Sequence, residues 1–146
     1  MKGLAVCGAV IGALALFTGC EKGPAGGAAA ESGKAAAAAA RVLELTDANF
    51  AEQTASGVTL VDFWAVWCGP CQIQGPLVDQ AAELLGGAAK VAKMNVDAGQ
   101  KTAEMLGIQS IPTLIVFKDG KPVKQFVGVT EPADLVAAVK ETLAAK

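Results

Sequence analysis

The chain has 146 residues, 53% of them hydrophobic, with 12 basic and 14 acidic side chains and a formal net charge of −2. No run of basic residues interleaved with aromatics appears, so nucleic-acid binding has no electrostatic footprint. With no histidine in the chain, Cys–His hydrolases and the usual imidazole general base are excluded.

At the N-terminus, Lys2 is followed by an uncharged, mostly apolar run from Gly3 to Thr18 and then by Gly19-Cys20. A short positive segment leading into an apolar stretch that ends in small residues reads as a signal peptide over residues 1–19. The ending Phe17-Thr18-Gly19-Cys20 resembles the bacterial lipobox, in which the cysteine is acylated and becomes the new N-terminus. Phe17 departs from that pattern, which usually has leucine or a similar aliphatic residue; Leu16 sits one place early. Two other readings stay open: ordinary signal cleavage, and an uncleaved anchor. The run is slightly shorter than the roughly 20 residues a spanning helix needs. Glu21 is not the Asp that typically retains lipoproteins at an inner membrane, which leans toward the outer one.

Residues 20–40 comprise Cys20 and a Gly/Ala-rich stretch with scattered charges, including Ala35 to Ala40 unbroken. Nothing there builds a core, so a tether is expected, although alanine also favours a helix leading into the domain. As a flexible coil, 20 residues span about 25 Å on average and about 70 Å at full stretch. Much of the high hydrophobic fraction comes from this alanine and from the signal, and does not imply a membrane-embedded domain. Removing residues 1–19 takes away Lys2 alone among the charges, leaving 11 basic and 14 acidic residues.

Residues 41–146, about 105 in number, are enough for one core without staples. Val42 to Leu45 reads as a short strand, and Thr46 or Asp47 as the cap of a helix through about Ala55. An apolar strand, Val58 to Trp64, feeds a helix from about Cys68 to Leu85 that ends at Gly86-Gly87. Val91 to Val96 is a third strand, and Lys101 to Leu106 a short helix stopped by Gly107. Thr113 to Lys118 and Pro122 to Val129 form a hairpin around Asp119-Gly120. Thr130, with Pro132 in the first turn, starts a last helix whose Leu135, Val136, Val139 and Leu143 share one face. This order predicts a mixed sheet with helices on both faces.

Trp67-Cys68-Gly69-Pro70-Cys71 sits at the strand-to-helix junction. Two thiols at this spacing can close a small disulfide ring and reopen it. At a helix N-terminus, unpaired N–H groups and the helix dipole favour a thiolate. Of the four cysteines, Cys7 and Cys20 belong to the N-terminal segment. One domain therefore cannot supply the four ligands of a structural zinc site, and only a metal shared between two copies stays open. A permanent staple over so short a span would stabilise little. Asp62 interrupts an apolar strand, and by pattern alone it belongs at a solvated edge. Lys93 by the same standard is an exposed face residue. Pro76 would ordinarily break its helix.

Asp62-Phe63-Trp64-Ala65-Val66-Trp67-Cys68-Gly69-Pro70-Cys71, then Pro76, Val91-Ala92-Lys93 and Ile111-Pro112-Thr113, together resemble the thioredoxin family from about Val42 to Lys146. The motifs fall in the family's order, with no long insertion between Cys71 and Pro112. The resemblance implies an α/β thioredoxin fold and a redox-active Cys68–Cys71 disulfide as the only redox group, with no other cofactor and no metal. It implies Cys68 as nucleophile and Cys71 as resolving thiol. Asp62 becomes a buried proton acceptor beneath Cys71, and Lys93 the lysine that tunes it. Pro76 only kinks the helix. Ile111–Pro112 is cis, and Trp67, Ile111, Pro112, Val127 and Gly128 line a groove for an extended substrate chain. Val127 fits ordinary core or rim packing equally well.

The expectation is thus an extracytoplasmic, membrane-tethered thiol–disulfide oxidoreductase of the bacterial cell envelope or periplasm, lipidated at Cys20 and monomeric. It reduces disulfide-containing client proteins and takes electrons from a membrane thiol donor. Gly69-Pro70 looks like the dipeptide of reducing members, whereas Gln72 stands where lysine is frequent and weakens thiolate stabilisation. The rivals are a disulfide oxidant or isomerase, and a non-catalytic binding module with the same fold.

Overall fold

The computed structural model describes residues 41–145. The expected signal peptide, Cys20 and the tether lie outside the described residues. Nine elements follow in chain order: β1 (Leu43–Leu45), α1 (Phe50–Thr54), β2 (Val58–Trp64), α2 (Gly69–Leu85), β3 (Lys90–Asn95), α3 (Gln100–Met105), β4 (Thr113–Lys118), β5 (Lys121–Val127) and α4 (Pro132–Ala144). The sheet order is β1-β3-β2-β4-β5. β3 runs parallel to β1 and β2, whereas β4 is antiparallel to β2 and β5.

β2 is the middle strand and is apolar because both of its faces are covered. On one face Val58, Leu60, Val91, Leu114 and Val116 pack against Val78, Ala82 and Leu85 of α2 and Leu135 and Val139 of α4. On the other, Val61, Phe63, Met94, Ile115 and Phe117 pack with Phe50 of α1, and Leu106 and Ile108 flank them. The expected mixed sheet with helices on both faces is what forms. Among the described residues no helix is long and apolar enough to cross a membrane.

Local chemistry sets the boundaries. Gly86 takes φ +54° at the end of α2, the left-handed conformation that closes a helix without a Cβ clash. Asp119 and Gly120 both have positive φ, which gives the hairpin a turn twisted with its strands. α2 runs unbroken through Pro76.

Two expectations are corrected. Asp47 does not cap α1, which starts only at Phe50. Its carboxylate instead accepts from the Thr102 N–H at 2.9 Å and the Thr102 hydroxyl at 2.6 Å, satisfying orphan donors at the start of α3. Those bonds, the hydroxyl's first, hold the Asp47 carboxyl below its ordinary range. Leu143 does not share the buried face of α4. It is 42% exposed, and Thr142 takes the inward place with its hydroxyl donating to the Ala138 carbonyl.

Candidate active site

β2 ends at Trp64, and Ala65 to Trp67 turn the chain into α2, with Cys68 as its N-cap residue. Cys68 has extended backbone angles, and its Sγ accepts the Cys71 N–H at 3.2 Å. Sulfur thus takes the role usually filled by a Ser or Asp oxygen at a helix start. Gly69 and Pro70 occupy the first turn; a proline there forfeits no intrahelical bond. Cys68 and Cys71 are joined by a disulfide with Cα atoms 5.3 Å apart. When the disulfide opens, the same N–H and the helix dipole stabilise a Cys68 thiolate.

Both sulfurs are nearly covered, Cys68 being 5% exposed, in a cluster with Ala65 that Trp64, Val96 and Ile111 flank. The Ile111 carbonyl oxygen lies 3.7 Å from Cys68 Sγ. A disulfide sulfur has no proton to give, so this is close approach rather than a hydrogen bond. The Ile111–Pro112 bond is cis, and the Pro112 carbonyl accepts from Gly128 N–H at 2.8 Å.

Asp62 sits in the middle of the central strand and is 1% exposed, so the solvated-edge reading fails. It pairs in register with Lys93 of β3 and Leu114 of β4, and its Oδ1 has no hydrogen-bond partner among the described residues. In-register residues of neighbouring strands point to the same side. Lys93 Nζ reaches α2, 2.7 Å from Asp79 Oδ1 and 3.9 Å from where a Cβ on Gly75 would sit. Cys71, Gly75 and Asp79 are four residues apart and share one face of α2. The Asp62 carboxyl therefore faces the same helix surface as Cys71. Burial raises its pKa to about 7; Lys93 opposes that shift and Asp79 adds to it. A carboxyl titrating there exchanges protons readily at neutral pH. Lys93, read from pattern as an exposed residue, is mostly covered, with 17% of its side chain exposed.

Trp67 is 68% exposed, and its Nε1–H donates to Asp97 Oδ2 at 3.0 Å. With Ile111, Val96, Ala103, Ile108, Gln109 and Ser110 it lines an open cavity of about 370 Å³ beside the disulfide. Val127 and Gly128 do not line that cavity. Val127 is 63% exposed, which removes it from the core, and it pairs in register with Thr113 next to the cis proline. Gln72 is exposed on α2.

Residues 41–141 match the family model described as Thioredoxin. The chain belongs to the thioredoxin family. It is 43% identical over 102 residues to thioredoxin from Staphylococcus saprophyticus, covering 70% of this chain and 98% of that one. It is 47% identical over 103 residues to thioredoxin from Alicyclobacillus acidocaldarius, covering 69% and 97%. A point-mutant thioredoxin from Halobacterium salinarum superposes with a TM-score of 0.69 at 33% identity, over 76% of this chain and 98% of that one. With its Cys-Gly-Pro-Cys pair joined at the start of α2, this family member is a thiol–disulfide oxidoreductase.

Thioredoxins need no cofactor beyond the active-site disulfide, and among the described residues no group of three or more Cys, Asp or Glu is gathered to hold a metal. Three residues near the site escaped the sequence reading. Asp79 holds Lys93, Asp97 holds the Trp67 ring, and Gln74 of α2 is bonded to the backbone of Thr130. The one signal that pointed to any of them was Gln74, a polar residue on the otherwise apolar stripe of α2.

Proposed function

We propose that this chain reduces disulfides of extracytoplasmic proteins while tethered to a bacterial envelope membrane through a lipidated Cys20. The observation that carries the redox half is the Cys68–Cys71 disulfide at the N-terminus of α2. Opened by two electrons, it yields a Cys68 thiolate that attacks one sulfur of a client disulfide. A Cys68–client bond forms and a client thiolate leaves. Cys71 then passes its proton to the Asp62 carboxylate and attacks Cys68 Sγ. That re-forms the Cys68–Cys71 disulfide and releases the second client thiolate. Lys93 tunes the acid. The groove of Trp67, Ile111 and cis-Pro112, with Val127 and Gly128 at its rim, seats the client chain in the manner of strand addition.

The membrane half rests on the apolar run Gly3 to Thr18, the small-residue ending at Gly19-Cys20 and the Gly/Ala-rich spacer. Re-reduction then requires a membrane thiol donor, because cytosolic reductants are across the bilayer. Reduction is favoured over oxidation on the Gly69-Pro70 dipeptide. Measuring the Cys68–Cys71 potential tests this direction, since each 30 mV shifts exchange by about 1.4 kcal/mol. A potential near about −270 mV fits a reductant, whereas one near about −120 mV makes the protein an oxidant.

Cys20→Ser is expected to move the protein from the membrane fraction to a soluble or unprocessed form and to abolish fatty-acid labelling. A purified domain starting at Arg41 keeps full insulin-reducing activity. Each buried lipid CH₂ contributes about 0.8 kcal/mol, so a multiply acylated cysteine holds firmly and a single chain does not. Unlabelled wild-type protein that stays in the membrane would replace lipidation by an uncleaved helical anchor. Unlabelled protein in the soluble fraction would mean ordinary signal cleavage.

A further inference from the structure

Gln74 lies one turn beyond Cys71 on α2 and is fully buried. Its neighbours on that helix face, Cys71, Val78, Ala81 and Ala82, are apolar or sulfur-bearing, and a leucine would fill the same place without polar atoms to satisfy. A buried amide is costly unless both its ends are bonded. Both are. Oε1 accepts the Thr130 N–H at 2.7 Å, and Nε2 donates to the Thr130 carbonyl at 3.2 Å. Only one orientation of the amide makes both bonds.

The clamp reaches the disulfide from the far side as well. Thr130 donates from its hydroxyl to the Gly128 carbonyl at 3.2 Å, and Gly128 N–H donates to the Pro112 carbonyl at 2.8 Å. Pro112 follows Ile111, whose carbonyl lies 3.7 Å from Cys68 Sγ. Contacts therefore run from α2 through Gln74, Thr130, Gly128 and the cis-proline loop back to the first residue before α2. Gly128 takes φ +92°, a conformation that residues with a Cβ rarely adopt, so the path of this segment is set by the bonds on either side of it. The side chain that closes this ring on the helix is Gln74.

We propose that Gln74 is a positioning residue for substrate choice: its two bonds to Thr130 hold the Gly128–Thr130 segment against the cis-proline loop, and so favour protein disulfides over small ones. The inference rests on the reductase reading above. A protein client lays chain along that rim, whereas a small aromatic disulfide needs only access to Cys68.

The test compares Gln74→Met with wild type on insulin and on 5,5′-dithiobis(2-nitrobenzoate). Methionine keeps the length and loses both bonds. The expected result is a rise in insulin KM of at least about fivefold, the factor that the loss of one neutral hydrogen bond typically gives, with kcat within about twofold. The ratio of insulin to small-disulfide reactivity falls by the same factor. Thr130→Val, which deletes only the hydroxyl link to Gly128 and leaves the core untouched, is expected to shift the ratio in the same direction by less. Gln74→Leu, which removes the same two bonds to the Thr130 backbone, decides the matter if Gln74→Met does not fold. An unchanged insulin KM in the folded variants, or equal losses on both substrates, would overturn the proposal. Wild-type protein that reduces neither substrate would instead overturn the reductase reading itself.

Discussion

Cys68→Ser is expected to abolish insulin reduction, while Cys71→Ser accumulates covalent client adducts and turns over at most once. The asymmetry follows from where the two sulfurs sit. Cys68 is the N-cap of α2, its sulfur receiving the Cys71 N–H and the positive end of the helix dipole, so its thiolate is the stabilised one. Cys71 lies inside the helix rather than at its cap, and its sulfur is joined to that of Cys68, which places it to resolve a Cys68 adduct rather than to make the first attack. Removing the attacking thiol stops the first bond from forming. Removing the resolving thiol leaves the first bond intact with no internal partner to break it. Non-reducing gels of Cys71→Ser incubated with a disulfide-bearing protein should show a higher-mass band that dithiothreitol removes. Normal turnover by Cys71→Ser would reverse the assignment of roles. Full activity in Cys68→Ser would move the chemistry away from this pair and favour a binding module.

The order of elements was legible because hydrophobic period and turn chemistry agree along most of the chain. Val58 to Trp64, Thr113 to Lys118 and the Gly86 stop are found where those signals put them. Leu143 was misread because it lies at the edge of the apolar stripe in the last turn of α4. There a 3.6-residue period places Thr142 nearer the stripe's centre. Asp47 misled because a capping residue is recognised by its neighbours in sequence. Its actual donors lie 54 and 55 residues away on α3.

The same distinction runs through the site. The cysteine pair and the cis-proline loop are continuous in sequence, so their motifs could be read directly. Asp62 could not be placed by pattern, since one acid in an apolar strand fits a sheet edge as well as a central strand. The family resemblance put it inside, and the sheet order explains why: β2 is flanked by β3 and β4 and covered by helices on both faces. The supporting contacts join residues 14, 30 and 56 positions apart, Lys93 to Asp79, Trp67 to Asp97 and Gln74 to Thr130. No local pattern carries pairings of that separation. They exist only once the sheet has brought β3, α2 and the β5–α4 connection together.

Asp62→Asn is expected to slow client release by about 10²-fold at neutral pH and to leave the attack step nearly unchanged. That is the lower end of what a positioned general base contributes, because water can take the proton in its place. The carboxyl is buried, one oxygen is unpartnered, and its pKa of about 7 makes it half-ionised where the reaction runs. In wild type, the single-turnover release rate should therefore rise with pH up to about 7 and then level off. The variant should lack that step. The same acid marks stability in the opposite sense. Burial makes the folded state hold the Asp62 proton up to about pH 7, whereas the unfolded chain gives it up near the ordinary 3.8. Between those values the folded state binds more protons, so the stability that Asp62 contributes is greatest below the lower value and declines as pH rises, by up to about 1.4 kcal/mol per pH unit. Above pH 7 that contribution is gone. Urea unfolding at intervals from pH 4 to 8 should show this slope in wild type and its loss in Asp62→Asn. A variant with an unaltered slope would mean that Asp62 ionises at its ordinary pKa, and equal release rates in the two proteins would remove it from the proton transfer.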